Sequence, residues 1–275
     1  MLRPSFGTPA RPTRSERIGR LESRWFLIDG WQLHARVSVD PAPVAAPSIV
    51  LVHGLGVAST YMVPTAVRLA RDYRVYAPDL PGFGKSDKPP GALDIPDLAD
   101  ALVAWMDVAD LQQAVLIGNS MGCQIIVDAA VRHPARVQRA VLQAPTIDRY
   151  ARTLRQQLGR GLVDVLREHP SQPLVQARDY AKFGLRRSIQ TFRFAVRDRI
   201  EDKLPLVRVP TLVVRGERDP IVSQRWSEEV TRLLPEGRLV VIPGAPHTLN
   251  YSTPQEFVRV LRPFLEGPRD EQANG

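Results

Sequence analysis

The chain has 275 residues, 44% of them hydrophobic and 24% charged, which excludes a disordered or low-complexity protein and allows one large core. Its single cysteine, Cys123, excludes an internal disulfide, no apolar run approaches the roughly 20 residues of a bilayer span, and "MLRPSFGTPARPTRSERIGR" holds no signal-peptide core, so a cytoplasmic location is expected. The net charge of +8 gathers in residues 1–20 (five Arg, one Glu) and 146–208 (fourteen basic, seven acidic), with only Lys85, Lys88, Lys182 and Lys203 as lysines; no nucleic-acid-binding signature accompanies it, and no nucleic-acid or membrane partner is expected.

Residues 1–20 read as a flexible basic tail and 267–275, "GPRDEQANG", as a frayed end. From there the predicted elements alternate. Strands are expected at "RWFLI" (24–28) and "WQLHARV" (31–37), joined by the hairpin turn Asp29-Gly30. Further strands follow at "SIVLVH" (48–53), "RVYAPD" (74–79), "AVLIGN" (114–119), "AVLQAP" (140–145), "TLVVRG" (211–216) and "RLVVIP" (238–243). These later runs are nearly continuous in apolar residues, as parallel strands covered on both faces require. Helical patterns fill the gaps at 61–71, 96–108, 121–132 and 225–234, and another at 254–265 opens on Thr253-Pro254, an N-cap followed by proline. The expectation is an open, mostly parallel eight-stranded α/β sheet with helices on both faces. Its core would be residues 21–145 and 206–266. Residues 146–205 lack a strand signal and read as a helical insertion over the C-terminal ends of the strands, where such sheets bind ligands. Within it Leu185, Ile189, Phe192, Val196 and Ile200 fall on one helical face.

Chemistry concentrates at strand ends. In "GNSMG" Ser120 sits between a strand and a helix, with Gly118 and Gly122 sparing side chains where the two pack closely and Asn119 beside it. A serine hydroxyl needs a base. Of the five histidines, His34 lies in a strand, His53 ends one, and His133 and His169 precede prolines, whereas His247 stands in a loop after the last strand. The acid that orients it should follow a strand: Asp219 in "GERDP" is favoured, with Asp148 after strand 140–145 as the alternative. The "HGLG" loop, Gly54 and Gly56 with it, offers the Leu55 N–H to pair with that of Met121 as an oxyanion hole. "GKS" at 84–86 is no phosphate loop, because the Walker spacing would need glycine where Asp79 stands. No metal or cofactor is expected.

With "HGLG", "GNSMG", "GERDP", "GAPH" and the "DLPGFGKSDKP" loop (79–89) in this order, the chain resembles the α/β-hydrolase superfamily over residues 22–266. The resemblance implies a cap formed by the 146–205 insertion and the chain order serine, acid, histidine. A serine at the elbow separates the chain from dehalogenases and epoxide hydrolases, which use aspartate there. Met121 separates it from proline iminopeptidases, which carry tryptophan. "GNSMG" is similar to the elbow of meta-cleavage C–C hydrolases, although Thr248 stands where those have tryptophan after the histidine. Arg152, Arg155, Arg186, Arg187 and Arg193 are equal candidates for the cap arginine that those enzymes use. The expected activity is hydrolysis of a small acyl compound, foremost a carboxylic ester, with water through an acyl-enzyme on Ser120. C–C hydrolysis of a diketone acid is the alternative, and a slow small-molecule receptor of the same fold a more distant one. Cys123, next to the elbow, reads as packing.

Overall fold

The computed structural model describes residues 16–39, 43 and 46–267. Asp29 and Gly30 take φ of +48° and +83°, the pair of positive values that a tight hairpin needs. They join β2 (Leu21–Ile28) to β3 (Trp31–Ser38) in antiparallel register from Ile28–Trp31 back to Leu21–Ser38. Among the described residues the sheet has nine strands where eight were expected. The extra one, β1 (Arg17–Ile18), folds back on β2 around Gly19 at φ +57°. Two residues are too few to show any alternation in sequence. Arg17 and Ile18 therefore belong to the sheet, with Gly19 and Arg20 as the turn into β2; residues 1–15 and 268–275 of the expected tails lie outside the described residues.

The rest alternates as the apolar runs predict. β4 (Ser48–Val52), α1 (Val63–Leu69), β5 (Arg74–Pro78), α2 (Ile95–Val108), β6 (Ala114–Asn119), α3 (Met121–Arg132) and β7 (Val137–Gln143) follow in turn. Four helices then intervene: α4 (Leu154–Arg167), α5 (Gln172–Phe183), α6 (Leu185–Arg197) and the short α7 (Ile200–Lys203). The chain closes with β8 (Thr211–Gly216), α8 (Gln224–Leu233), β9 (Gly237–Ile242), α9 (Leu249–Ser252) and α10 (Pro254–Glu266). The strands lie in the order β1-β2-β3-β5-β4-β6-β7-β8-β9, parallel from β5 onward. Alternate residues of each central strand feed opposite cores. Val50, Val52 and Leu116 pack with α2, α3 and α8, while Ile49, Leu51, Val115 and Ile117 pack with α1 and α10. Burial on both faces is why these strands read as unbroken apolar runs.

From β4 the chain crosses to β5 on one side, and β6 returns on the other. The C-terminal ends of β4 and β6 therefore form a topological switch point, the position at which open α/β sheets leave a crevice. Residues 154–203 hold helices and no strand among the described residues, and the apolar face predicted over 185–200 is interrupted. Helix α6 ends at Arg197, Asp198 takes extended backbone, and Ile200 begins α7. Leu185, in the first turn of α6, is 77% exposed. At α10 Pro254 occupies the first turn as expected, but the Thr253 side chain makes no capping bond and turns back toward the Leu249 carbonyl. Among the described residues no helix is long and apolar enough to cross a membrane.

The loop after β5 is held by one buried carboxylate. Asp79 accepts hydrogen bonds from the Ser59 N–H at 2.6 Å, the Lys85 N–H at 2.9 Å and His34 Nδ1 at 2.8 Å. A side-chain carbon at Gly84 would lie 2.3 Å from its Oδ2. Burial pushes the Asp79 pKa up, but His34 and the two backbone donors outweigh it and hold the group at about 2. Because the folded value is depressed, the stabilisation is complete above the ordinary aspartate range and is lost as pH falls through 2. Replacing Asp79 with alanine leaves buried donors unpaired and should cost about 3 kcal/mol. Urea unfolding at pH 7 and at pH 2.5 measures it: the gap between wild type and D79A is expected to narrow at the lower pH.

Candidate functional site

β6 ends at Asn119 and α3 begins at Met121, so Ser120 alone makes the turn, at φ +56° and ψ −120°. A non-glycine residue held there stores strain of about 1–3 kcal/mol. The strain is enforced by close packing around it. A side-chain carbon at Gly118 would lie 2.7 Å from the Gly122 carbonyl, and one at Gly122 would lie 2.4 Å from the Val52 carbonyl oxygen. The Ser120 N–H donates to Gln143 O at 3.0 Å, and Ser120 O accepts from the Cys123 N–H at 3.0 Å. Its hydroxyl stands 3.5 Å from that of Thr146, too far for a firm hold. Cys123 is fully buried, its thiol directed at Gly118 O and Gln143 O, with burial pushing its pKa well up.

Two further loops meet beside it. Gly216, at the end of β8, has no room for a side chain, because a side-chain carbon there would lie 2.4 and 2.2 Å from the Ala245 and Pro246 carbonyl oxygens. That close approach brings the "GAPH" loop onto the "GERDP" loop, and His247 Nδ1 meets Asp219 Oδ2 at 2.8 Å. The other Asp219 oxygen accepts from the N–H groups of Ile221 and Val222 at 2.7 and 3.0 Å. Asp148, the alternative acid, points elsewhere, accepting from Arg160 Nη1, the Ser223 N–H and the Tyr150 N–H. His34, His133 and His169 pair with Asp79, Asp100 and Ser171 respectively. His53 takes the Leu80 N–H on Nε2, which leaves its Nδ1 to donate to Gly54 O.

Ser120 and His247 border one cavity of about 830 Å³, within the range of small-molecule sites. Its floor includes Gly54, Leu55, Asn119 and Met121, and neither the Leu55 nor the Met121 N–H meets an acceptor among the described residues. Gly56 is not in the wall. It backs onto Tyr180, whose ring leaves no room for a side chain there, and Tyr180 takes the wall position instead. The opposite side comes from the helical segment and is largely apolar, with Val165, Ile189, Phe192 and Val196. Of the five candidate arginines, Arg152 and Arg193 reach the cavity. Arg152 is held by both Glu201 oxygens at 2.6 Å, and Arg187 instead clamps the Pro89 and Gly91 carbonyls.

With a parallel sheet, a serine on a strained strand-to-helix turn and a paired histidine and aspartate on the next loops, comparison with known proteins is decisive at family level. A model of the alpha/beta hydrolase family matches residues 49–260. The chain belongs to that family. Among its relatives are the 2-(acetamidomethylene)succinate hydrolase of Mesorhizobium japonicum, 26% identical over 81% of this chain and 89% of that protein, and the 2-hydroxymuconate semialdehyde hydrolase of a Pseudomonas species, 31% identical over 70% and 68%. The solved structure of a membrane phospholipase A, described as a bacterial virulence factor, superposes with a TM-score of 0.77 at 25% identity, covering 92% of this chain and 88% of that one.

Four residues in or beside this candidate site were not singled out from sequence. Arg215 in β8 lies buried under the Asp219 loop and donates to the carbonyls of Asp219, Val222 and Glu217. A charged residue in "TLVVRG" was the available signal. Gln143 donates from Nε2 to His247 O at 3.2 Å and Asn250 Oδ1 at 2.9 Å. Asp164 and Glu168, four apart on and just after α4, reach the site from the helical segment. Their spacing was visible, but nothing local said which face of α4 would turn inward.

The carboxylates surround the histidine. Burial pushes the His247 pKa down, but the charge and hydrogen bond of Asp219, with Asp164 and Glu168 behind, outweigh it and raise the group to about 9. Following the His247 ring by NMR across pH 5–10 should give a midpoint well above the ordinary 6.5. Glu168→Gln removes one of the charges responsible, so its midpoint should lie lower than that of the parent.

Proposed function

We propose that this hydrolase cleaves a small acyl compound, foremost a carboxylic ester, through an acyl-enzyme on Ser120. The observation that carries the reading is the single cavity bordered by Ser120 and by His247, with His247 Nδ1 2.8 Å from Asp219. In the proposed mechanism His247 Nε2 takes the Ser120 proton as Oγ adds to the carbonyl. Asp219 keeps the Nδ1 proton in place and balances the imidazolium. The N–H groups of Leu55 and Met121 receive the oxyanion, at the free N-terminal end of α3 where the helix dipole adds to the effect. The imidazolium then protonates the leaving group, and water, activated by the same histidine, releases the acid and restores Ser120. The 146–205 helices act as the cap, and their apolar wall favours an acyl substrate with a hydrocarbon portion.

A second reading, C–C hydrolysis of a vinylogous diketone acid, is favoured by the 31% identity to 2-hydroxymuconate semialdehyde hydrolase. It uses the same Ser120 and His247 but needs a counter-charge for the substrate acid. Arg152 is already committed to Glu201, which leaves Arg193 and Arg197 at the cavity for that role, but Thr248 replaces the tryptophan expected after the histidine. Ester cleavage is therefore preferred.

A fluorophosphonate probe is expected to label the wild-type protein and leave Ser120→Ala unlabelled; an unlabelled wild type removes the nucleophile assignment. Short p-nitrophenyl esters should lose at least about a thousandfold in kcat on Ser120→Ala or His247→Ala. Faster turnover of a 2-hydroxy-6-oxo-dienoate than of any ester would transfer the assignment to the C–C reading. Asp219→Asn should lower kcat by about a hundred- to ten-thousandfold with little change in unfolding midpoint. Asp148→Asn should do the opposite, weakening the fold more than the rate.

A further inference from the structure

Asp164 takes no part in the mechanism above, yet it borders the same cavity as Ser120 and His247 and is only 7% exposed. Its Oδ1 is wholly buried and meets no donor among the described residues. Leaving such a group unpaired is costly, so it marks a place where something else is meant to bind. Its neighbour one turn along is different. Glu168 accepts from the Thr248 N–H at 2.7 Å on one oxygen, and from the hydroxyls of Thr248 and Ser252 on the other.

Two buried carboxyls in contact do not both ionise readily. Glu168 already accepts three hydrogen bonds. Burial pushes Asp164 up to about 7; His247 pulls against this, while Glu168 and Asp219, together with a hydrogen bond to Glu168, support it. One Asp164 oxygen is thus engaged by the hydrogen bond to Glu168. Its other oxygen is left as a hydrogen-bond acceptor. A substrate carboxylate has nothing to gain there. An ammonium group is disfavoured by the exposed Arg193 and Arg197, which also border the cavity. What fits is an uncharged donor.

We propose that Asp164 is a substrate-recognition residue, accepting a hydrogen bond from a hydroxyl or amide N–H carried by the substrate near its scissile carbonyl. The substrate class is then a hydroxyl- or amide-bearing acyl compound and not a plain hydrocarbon ester. This rests on the serine-hydrolase reading above, and it adds a selectivity which that reading does not require.

Two pairs of p-nitrophenyl esters test it, each differing by a single donor: 3-hydroxybutanoate against 3-methylbutanoate, and N-acetylglycinate against 4-oxopentanoate. Rates are divided by those of hydroxide-catalysed hydrolysis, which removes differences in intrinsic reactivity. In at least one pair the wild type should prefer the donor-bearing ester by about tenfold or more in kcat/KM. Asp164→Leu should bring that ratio to near one, and Asp164→Asn, which keeps an acceptor oxygen, should retain a large part of it. A merely structural role would slow both members of each pair equally and leave the ratio unchanged. That result, or a wild type without preference in either pair, overturns the proposal while fluorophosphonate labelling of Ser120 stands. Loss of both labelling and ester turnover in the wild type overturns the serine-hydrolase reading instead, and this inference with it.

Discussion

The backbone of α3 approaches the end of β4 so closely that a side-chain carbon at position 122 would meet the Val52 carbonyl oxygen at 2.4 Å and that of His53 at 2.9 Å. Much of the site follows from this contact. It requires glycine at 122 and at 118, leaves a single residue to turn from strand into helix, and forces that residue to positive φ. It also brings the first turn of α3, with its unpaired N–H groups, alongside the loop that leaves β4. Tyr61 secures that loop from behind, accepting from the Gly54 N–H at 2.8 Å and donating to Asn119 Oδ1 at 2.6 Å. The polar chain continues through Asn250, which donates to Tyr61 O, to Gln143 and His247. Packing and hydrogen bonds thus tie the ends of β4, β6, β7 and β9 into one rigid floor.

Electrostatics divides the labour on that floor. The His247 ring faces Asp219 from the core and Glu168 and Asp164 from the helical segment. An imidazole among so many acidic groups holds a proton strongly, which favours the imidazolium formed during the proposed reaction and makes the free base scarcer at neutral pH. Arg215 balances part of this charge without approaching the ring, since its guanidinium is bonded to the carbonyls of the Asp219 loop. It lends positive potential while fixing the loop's shape.

How much of this was legible beforehand depended on range. The long apolar strands declared themselves because both faces are buried, and the glycines of "GNSMG" did so because their clash is with residues a few positions away or at the end of a neighbouring strand. Asp29-Gly30 specified a hairpin locally. β1 escaped because two residues carry no period. The break before Ile200 escaped because apolar spacing continued through a helix end set by backbone turn and tertiary contact. Gly56 was placed in the "HGLG" loop, but its surroundings are decided by its positive φ and by the ring of Tyr180, more than a hundred residues away. Asp164 and Glu168 illustrate the same limit: their role depends on how α4 lies over the sheet, which is a property of the whole chain.

The cavity has a floor made of loops that tolerate almost no substitution and a roof made of ordinary helix surface. Ile189, Phe192 and Val196 meet the cavity at helical spacing from α6, an element that contributes nothing to the hydrogen-bond chain beneath. Exchanging one of them alters the size or shape of the space and leaves the elbow, the paired loops and their supports intact. The shape of the cavity and the geometry of the paired loops thus rest on separate parts of the chain.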